Sequence, residues 1–183
     1  VDSLAGGRLF LGAGTGWWRE EFEALGLGEH FEDRGARTDE YLRIFKSLWT
    51  EETPSFHGRF HRYDNLIASP KPAQSGNLPI WIGGNTPRAL RRVAEFGDVW
   101  HPVVLTPPQV LDPRELGEQR KLLEDLFLKQ GRDPASIRIA PKTHLYFEEK
   151  GGRPLAGSPA RIVEDLLAYR AVGAEEFIFY CPG

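Results

Sequence analysis

The sequence has few of the features that mark secreted, membrane or nucleic-acid-binding proteins. Its 183 residues include no methionine and a single cysteine, Cys181. One cysteine excludes an intramolecular disulfide and favours a reducing compartment. No apolar run approaches the roughly 20 residues of a membrane-spanning helix, and no signal peptide is recognisable. These absences predict a cytoplasmic protein with no membrane partner.

An excess of positive charge is also missing. The formal net charge is −3, and the composition of 40% hydrophobic and 27% charged residues is typical of a globular domain. This balance argues against a nucleic-acid partner. Because methionine is absent and residues 1–7 resemble the end of a helix, with an apolar pair followed by Gly6 and Gly7, we expect the chain to continue a longer protein.

The most informative stretch is residues 78–90. Residues 79–82 are short, apolar and β-branched or aromatic, which predicts a buried strand. Gly83 and Gly84 allow a sharp turn and a close ligand approach. Thr86 suits a helix N-cap, and Pro87 suits the first helical position. Free N–H groups at the positive end of the following helix favour a phosphate. The alternative is an ordinary tight loop between a strand and a helix.

Strand and helix patterns alternate along the whole chain. The predicted strands cover residues 8–14, 79–82, 98–105, 137–147 and 176–180, and the predicted helices cover 19–25, 37–49, 87–96, 113–130 and 159–172. This order predicts parallel βαβ units. Part of an eight-stranded (β/α) barrel and a five-stranded doubly wound sheet both fit, but the chain is shorter than the about 250 residues of a full barrel. Residues 50–78 form an insertion with a hairpin predicted at 55–63.

Several aromatic residues and histidines have both a structural and a functional interpretation. Trp17 and Trp18 either cap the core or form the wall of a site for a flat ligand. His57 and His61 share one face of the predicted hairpin, but no third ligand is apparent, so two surface histidines are favoured over a metal site. His101 is either a structural histidine or a ligand contact and general acid–base, and it is the only candidate for a catalytic residue.

The ordered set of motifs resembles the bacterial luciferase-like family over nearly the whole chain. The segments that carry the resemblance are 7–17 (GRLFLGAGTGW), 21–26 (EFEALG), 34–40 (RGARTDE), 49–50 (WT), 56–60 (FHGRF), 79–84 (PIWIGG), 97–102 (GDVWHP) and the helix that begins at 157–159 (GSP). The resemblance is strongest to the branch that uses the deazaflavin coenzyme F420. The branch that uses FMN is next.

This resemblance implies a (β/α)8 barrel of the TIM type with its cofactor at the carboxyl ends of the strands. The chain would supply about strands four to eight of an incomplete barrel, as a single domain over residues 1–183 that lacks its N-terminal third. Trp17 stands where some sugar-phosphate-oxidising relatives have a catalytic glutamate, which argues against that substrate class. The positions that the resemblance assigns to cofactor binding are Thr15, Gly16, Trp17, Gly83, Gly84, Asn85, Thr86 and Trp100.

The implied function is a flavin- or deazaflavin-dependent oxidoreductase acting on a small organic substrate. The expected cofactor is F420, with FMN as the alternative, and the corresponding reactions are hydride transfer and monooxygenation. No metal is expected, and a homo-oligomer is expected because an incomplete barrel leaves open sheet edges. One rival is a non-catalytic fragment that retains a phosphate site and self-associates. Another is a barrel enzyme of different chemistry, without flavin absorbance.

Overall fold

The computed structural model describes residues 1–74, 78–103, 110–148 and 153–180. Cys181, positions 104–105 of the predicted third strand and positions 75–77 of the predicted insertion lie outside the described residues. The chain divides into two compact units, residues 1–80 and 81–183. In the described part, no helix combines the length and the apolar character that crossing a membrane requires.

The first unit contains one strand, two helices and a hairpin. Their bounds are β1 Leu11–Ala13, α1 Arg19–Ala24, α2 Arg34–Thr50, β2 Phe56–His57 and β3 Arg62–Tyr63. The hairpin is antiparallel, with Phe56 opposite Tyr63, as the sequence predicted. The N–H of Leu11 donates to the carbonyl of Pro79 at 2.8 Å, so β1 pairs with the segment that leads into the next strand.

The second unit alternates strands and helices. Its elements are β4 Ile80–Gly83, which begins at the unit boundary, α3 Pro87–Phe96, β5 Val99–His101, α4 Pro113–Lys129, β6 Arg138–Ile139, β7 Lys142–His144, α5 Pro159–Ala171 and β8 Ile178–Tyr180. Strand β5 pairs in parallel with β4 and β6, and β7 pairs in parallel with β8. The predicted parallel α/β class is therefore confirmed.

The predicted strand over residues 137–147 was wrong as a single element. It divides into β6 and β7, which pair with different strands. Pro141 lies between them and has no N–H to donate, so the ladder is interrupted there. Its carbonyl accepts the N–H of Ile178 at 2.9 Å, whereas the N–H of Ala140 still donates to Trp100 at 2.9 Å. Beyond the proline, the N–H of Lys142 still donates to the carbonyl of Pro102 at 2.8 Å, so the chain keeps its contact with the segment after β5 while β7 also pairs with β8.

Helix α2 begins three residues earlier than the predicted start at Arg37. The added first turn contains Gly35, which disfavours a helix by about 1 kcal/mol relative to alanine. In the structure, the Arg34 guanidinium donates to the carbonyl of Phe31 at 2.6 Å and lies 3.9 Å from the centre of the Phe31 ring. These contacts anchor the first turn and extend the helix through the glycine.

Candidate functional site

The loop between β4 and α3 has features that suit an anion-binding site. Gly84 has φ of +108°, and a Cβ at this position would lie 3.1 Å from the Cβ of Ala89, so a larger residue would be strained and crowded. Thr86 Oγ1 accepts the N–H of Ala89 at 3.2 Å, and Pro87 has no N–H. Of the first three residues of α3, Pro87 has no N–H and Ala89 already donates to Thr86. The N–H of Arg88 is therefore the one that can donate to a bound anion, at the positive end of the helix.

The side chain of Asn85 holds this loop rather than facing a ligand. Its Nδ2 donates to the carbonyl of Val103 at 2.7 Å, and its Oδ1 accepts the N–H of Val103 at 3.1 Å. Both ends of the amide therefore bond one residue of the segment that follows β5. The cofactor contact that the resemblance implies at Asn85 would therefore be made by its backbone.

Trp100 supports the same loop from the interior. Its side chain is fully buried, and its Nε1–H donates to the carbonyl of Gly84 at 2.9 Å. Because a buried indole N–H needs an acceptor, the tryptophan and the loop carbonyl fix one another. The resemblance assigns Trp100 to cofactor binding, and this role stays a prediction. In the structure the buried side chain supports the glycine loop.

His101 lies at the end of β5, directly opposite Gly83 of β4. Its Nδ1 is 2.6 Å from the carbonyl oxygen of Ala140. A carbonyl only accepts, so Nδ1 carries the proton and Nε2 is the acceptor in the neutral ring. Burial lowers the pKa of His101 and the nearby Lys142 lowers it further, against the opposing effect of the Ala140 hydrogen bond. The ring is therefore a neutral proton acceptor near pH 7.

In the first unit, the turn after β1 is built around Gly16. This residue has φ of +75°, and a Cβ would lie 2.7 Å from the ring of Phe22. Its carbonyl accepts from Nε of Arg34 at 3.1 Å. The next residue, Trp17, is 83% exposed and stacks on Trp18 with ring centres 6.2 Å apart. Neither tryptophan caps the core, so a role in contacting a ligand is the interpretation that stays as a prediction.

A cavity of about 340 Å³ lies within the first unit, beside the end of β1 and one face of α2. Thr15 lines it, together with the basic side chains of His30, Arg34 and Arg37. Of the three predicted cofactor residues in this unit, Thr15 is the one that lines this cavity. Its role in cofactor binding, like those of Gly16 and Trp17, stays a prediction.

The two hairpin histidines pair with different carboxylates. His57 contacts Asp64, whereas Nδ1 of His61 donates to Glu40 at 3.1 Å. Glu40 also accepts backbone N–H groups from Arg59, from Phe60 at 3.0 Å and from His61 at 3.1 Å. Within the described ranges, no cluster of three or more His, Cys, Asp or Glu side chains could hold a metal ion.

Sequence reasoning missed the contribution of β7 and β8. Lys142 and His144 lie in β7, and the ring of His144 is 5.2 Å from the ring of Tyr180 in β8. The alternation of polar and buried residues, Lys142-Thr143-His144, was a signal that one face of this strand carries polar groups.

Parallel strands with helices after them, and a glycine loop at the carboxyl ends of the strands, define a protein of the (β/α)-barrel class. The fold matches the solved structure of an F420-dependent secondary alcohol dehydrogenase with a TM-score of 0.78 and 16% identity, over 97% of this chain and 65% of that one. The described strands do not close a barrel, in agreement with the predicted incomplete one.

The chain belongs to the luciferase-like monooxygenase family, whose model matches residues 1–153. It is 36% identical over 103 residues, 55% of the chain, to the FMNH(2)-dependent dimethylsulfone monooxygenase of Pseudomonas putida. It is 37% identical over 101 residues, 54% of the chain, to the pyrimidine monooxygenase RutA of Allorhizobium ampelinum. These matches span only 28% and 27% of the lengths of the two relatives. The predicted family is confirmed.

Proposed function

We propose that this chain is the phosphate-binding part of a flavin- or deazaflavin-dependent oxidoreductase that acts on a small organic molecule in the cytoplasm. The observation that carries the proposal is the β4–α3 loop, in which the left-handed Gly84 precedes a helix capped by Thr86. Family membership supports an oxidoreductase, because relatives include FMNH(2)-dependent monooxygenases, and an F420-dependent dehydrogenase shares the fold.

The proposed cofactor is F420, with FMN as the alternative. Both carry a phosphate on a ribityl chain, so the same loop suits either one. The backbone of Gly83 and Gly84 and the N-terminus of α3 would hold the phosphate, while Asn85 and Trp100 keep the loop in place. When bound, the cofactor supplies hydride transfer, or monooxygenation where oxygen is the co-substrate.

His101 is the proposed acid–base residue. The Ala140 carbonyl fixes its tautomer and leaves Nε2 as the proton acceptor. Its neutral state near pH 7 suits the removal of a proton from a substrate hydroxyl or from a reacting carbon acid. Burial lowers the pKa of His101, and the positive charge of Lys142 lowers it further because it would repel a protonated ring.

The proposal is tested by titrating the purified chain with F420 and, separately, with FMN. We expect a saturable change in the visible absorbance of at least one cofactor, since binding replaces water around its ring. Riboflavin, which lacks the phosphate, serves as the comparison ligand. Absence of binding of both F420 and FMN at high micromolar concentration would overturn the proposal and favour a non-catalytic fragment.

A further inference from the structure

The cavity of about 340 Å³ in the first unit has the composition of a small-molecule site. Its volume falls within the range of about 300–1,000 Å³ that is usual for such sites. Five large apolar side chains line it, and they are Leu11, Phe22, Leu27, Leu42 and Phe45. Small-molecule sites combine an apolar lining of this kind with a few polar groups that fix the ligand. The polar groups of this cavity therefore indicate what it would bind.

The charge of the lining is of one sign. Arg34 and Arg37 both line the cavity, as does His30, whereas the described lining residues include no aspartate or glutamate. The first turn of α2 contains no acidic side chain either. Because an apolar wall strengthens the field of the charges beside it, the cavity favours a ligand that carries a negative charge.

Arg37 lacks a hydrogen-bonding partner for its side chain. The residue is half-buried, and its Nε atom is buried with no acceptor. In the described part of the chain, its guanidinium stacks over the Phe60 ring, 4.2 Å from the ring centre, and makes no hydrogen bond or ion pair. Stacking leaves the N–H donors in the guanidinium plane unused. A buried donor normally has an acceptor, so Nε–H of Arg37 points to a missing partner.

The two acidic side chains one turn away along α2 are already committed to other groups. Asp33, four residues before Arg37, pairs with Arg59 at 3.3 Å. Glu40, three residues after it, is buried and accepts N–H groups of the hairpin and Nδ1 of His61. Carboxylates at these spacings are the usual partners of an arginine on a helix. The fold therefore leaves the Arg37 guanidinium to an acceptor from outside the chain.

Arg34 brings a second guanidinium to the same face of α2, because residues three apart are neighbours on a helix. Its Nε donates to the carbonyl of Gly16 at 3.1 Å, and its Nη1 donates to the carbonyl of Phe31 at 2.6 Å. These bonds fix the orientation of the guanidinium plane. Among the described residues, Nη2 has no acceptor, so it is the nitrogen that remains for a ligand.

We propose that this cavity binds an organic carboxylate with an apolar body, such as an aromatic acid, and that Arg37 is the principal anion-binding residue. The planar guanidinium matches the two oxygens of a carboxylate, and Nη2 of Arg34 would add a charge-assisted hydrogen bond. The apolar body would fill the space beside Phe22 and Phe45. The site is independent of the proposed function, because the β4–α3 loop supplies none of its residues.

The test titrates benzoate into the 183-residue chain and follows the Nε–H signals of the arginine side chains by NMR. The Arg37→Gln variant identifies the signal of Arg37 by its disappearance. We expect a saturable shift of this signal, because a carboxylate supplies the acceptor that Nε–H lacks. Benzamide has the ring without the charge, and acetate has the charge without the ring. Both should bind at least about tenfold more weakly than benzoate.

Variants measured by isothermal titration calorimetry test the role of Arg37. Arg37→Gln should weaken benzoate binding by about tenfold to a hundredfold, because the charge is lost. Arg37→Lys should restore only part of the affinity, since an ammonium cannot bind both carboxylate oxygens in one plane. Arg43→Gln is the matched control, at an exposed arginine of the same helix that does not line the cavity, and it should retain the affinity of the unmodified chain.

Three results would overturn the proposal. They are an absence of saturation by benzoate, an unchanged affinity in Arg37→Gln, and an affinity for acetate or benzamide equal to that for benzoate. The comparison of the three probes uses the unmodified chain, so it stands even where a variant fails to fold, which urea unfolding of each variant establishes.

Titration with FMN separates this site from the proposed function. Benzoate binding without FMN binding would overturn the proposed function and leave the Arg37 site intact. Displacement of benzoate by FMN would overturn the proposal made here, because the cavity would then belong to the cofactor. We expect both ligands to bind without competition.

Discussion

At the scale of single residues, the candidate site depends on side chains that hold the backbone rather than reach for a ligand. Trp100 and Asn85 are the main examples, since their polar atoms bond Gly84 and Val103. The sequence predicted that both positions matter, but it assigned them to the cofactor. A sequence pattern indicates that a polar side chain lies near a strand end. Only the folded structure shows which group that side chain bonds.

Trp100→Phe should destabilise the chain by about 1–3 kcal/mol, because the part-buried carbonyl of Gly84 loses its donor. Trp17→Phe is the matched control, since Trp17 is 83% exposed and should change stability by less than about 0.5 kcal/mol. Urea unfolding followed by fluorescence of the remaining tryptophans measures both. Equal effects of the two substitutions would contradict the supporting role of Trp100.

The histidine at the end of β5 provides a test based on pH. Burial and Lys142 lower the pKa of His101 in the folded chain, so the folded state releases its proton more readily than the unfolded state. Stability is then retained above the unfolded pKa of about 6.5 and decreases as the pH falls through the folded pKa. NMR titration of the ring should give a midpoint below 6.5.

The same linkage predicts how a substitution changes the pH profile. His101→Gln removes the titrating group, so the decrease in stability of the unmodified chain below pH of about 6.5 should become shallower in the variant. Unfolding experiments at several pH values measure the difference. A His101 midpoint at or above its ordinary value, or identical profiles, would contradict the described environment.

At the scale of secondary-structure elements, the starts of α3, α4 and α5 were predicted correctly, because their signals are local. Thr86 caps α3 as predicted, Asp112 and Ser158 cap α4 and α5 in the same way, and in each case proline occupies the first turn. The division between β6 and β7 was not predicted, because it depends on which strands lie on either side of the chain near Pro141. Local patterns do not contain that information.

The connection between α2 and the hairpin was also missed, since it joins residues about twenty positions apart. Glu40 is buried in α2 and accepts backbone N–H groups of Phe60 and His61. Burial tends to raise its pKa, but these hydrogen bonds outweigh that effect and hold the pKa below its ordinary value. Gly58 completes the arrangement, because a Cβ there would lie 2.5 Å from Oε1 of Glu40.

Glu40→Gln should destabilise the hairpin, because the amide NH₂ would face N–H donors that the carboxylate now accepts. Since the pKa of Glu40 is lowered on folding, its contribution is present above the unfolded pKa of about 4.3 and is lost as the pH falls through the folded pKa. The decrease in stability at acid pH should therefore be less steep in Glu40→Gln than in the unmodified chain. Glu52→Gln, at an exposed position, is the control and should leave the acid transition unchanged.

At the scale of the whole molecule, an incomplete barrel should leave apolar surface uncovered. The second unit has a groove of about 810 Å³ along α5 and the end of the chain, lined by Val163, Leu167, Phe177 and Phe179 among others. Contiguous apolar surface of this kind promotes association.

Self-association through this groove is tested by sedimentation. We expect concentration-dependent oligomers of the chain, and a shift toward monomer in Leu167→Lys, which places a charge in the groove. Leu122→Lys is a matched control, because Leu122 and Leu167 are both 57% exposed and Leu122 does not line the groove. A stable monomer at all concentrations would contradict the proposed association.

The central claim, that the β4–α3 loop binds a cofactor phosphate, is tested most directly by comparing FMN with riboflavin. The two ligands differ by the phosphate, so the unmodified chain should bind FMN more tightly. Gly84→Asp places a negative charge at the loop and should remove this preference, whereas the neutral Gly84→Asn carries the same strain at φ of +108° and should keep much of it. Equal affinities for FMN and riboflavin in the unmodified chain would contradict the claim.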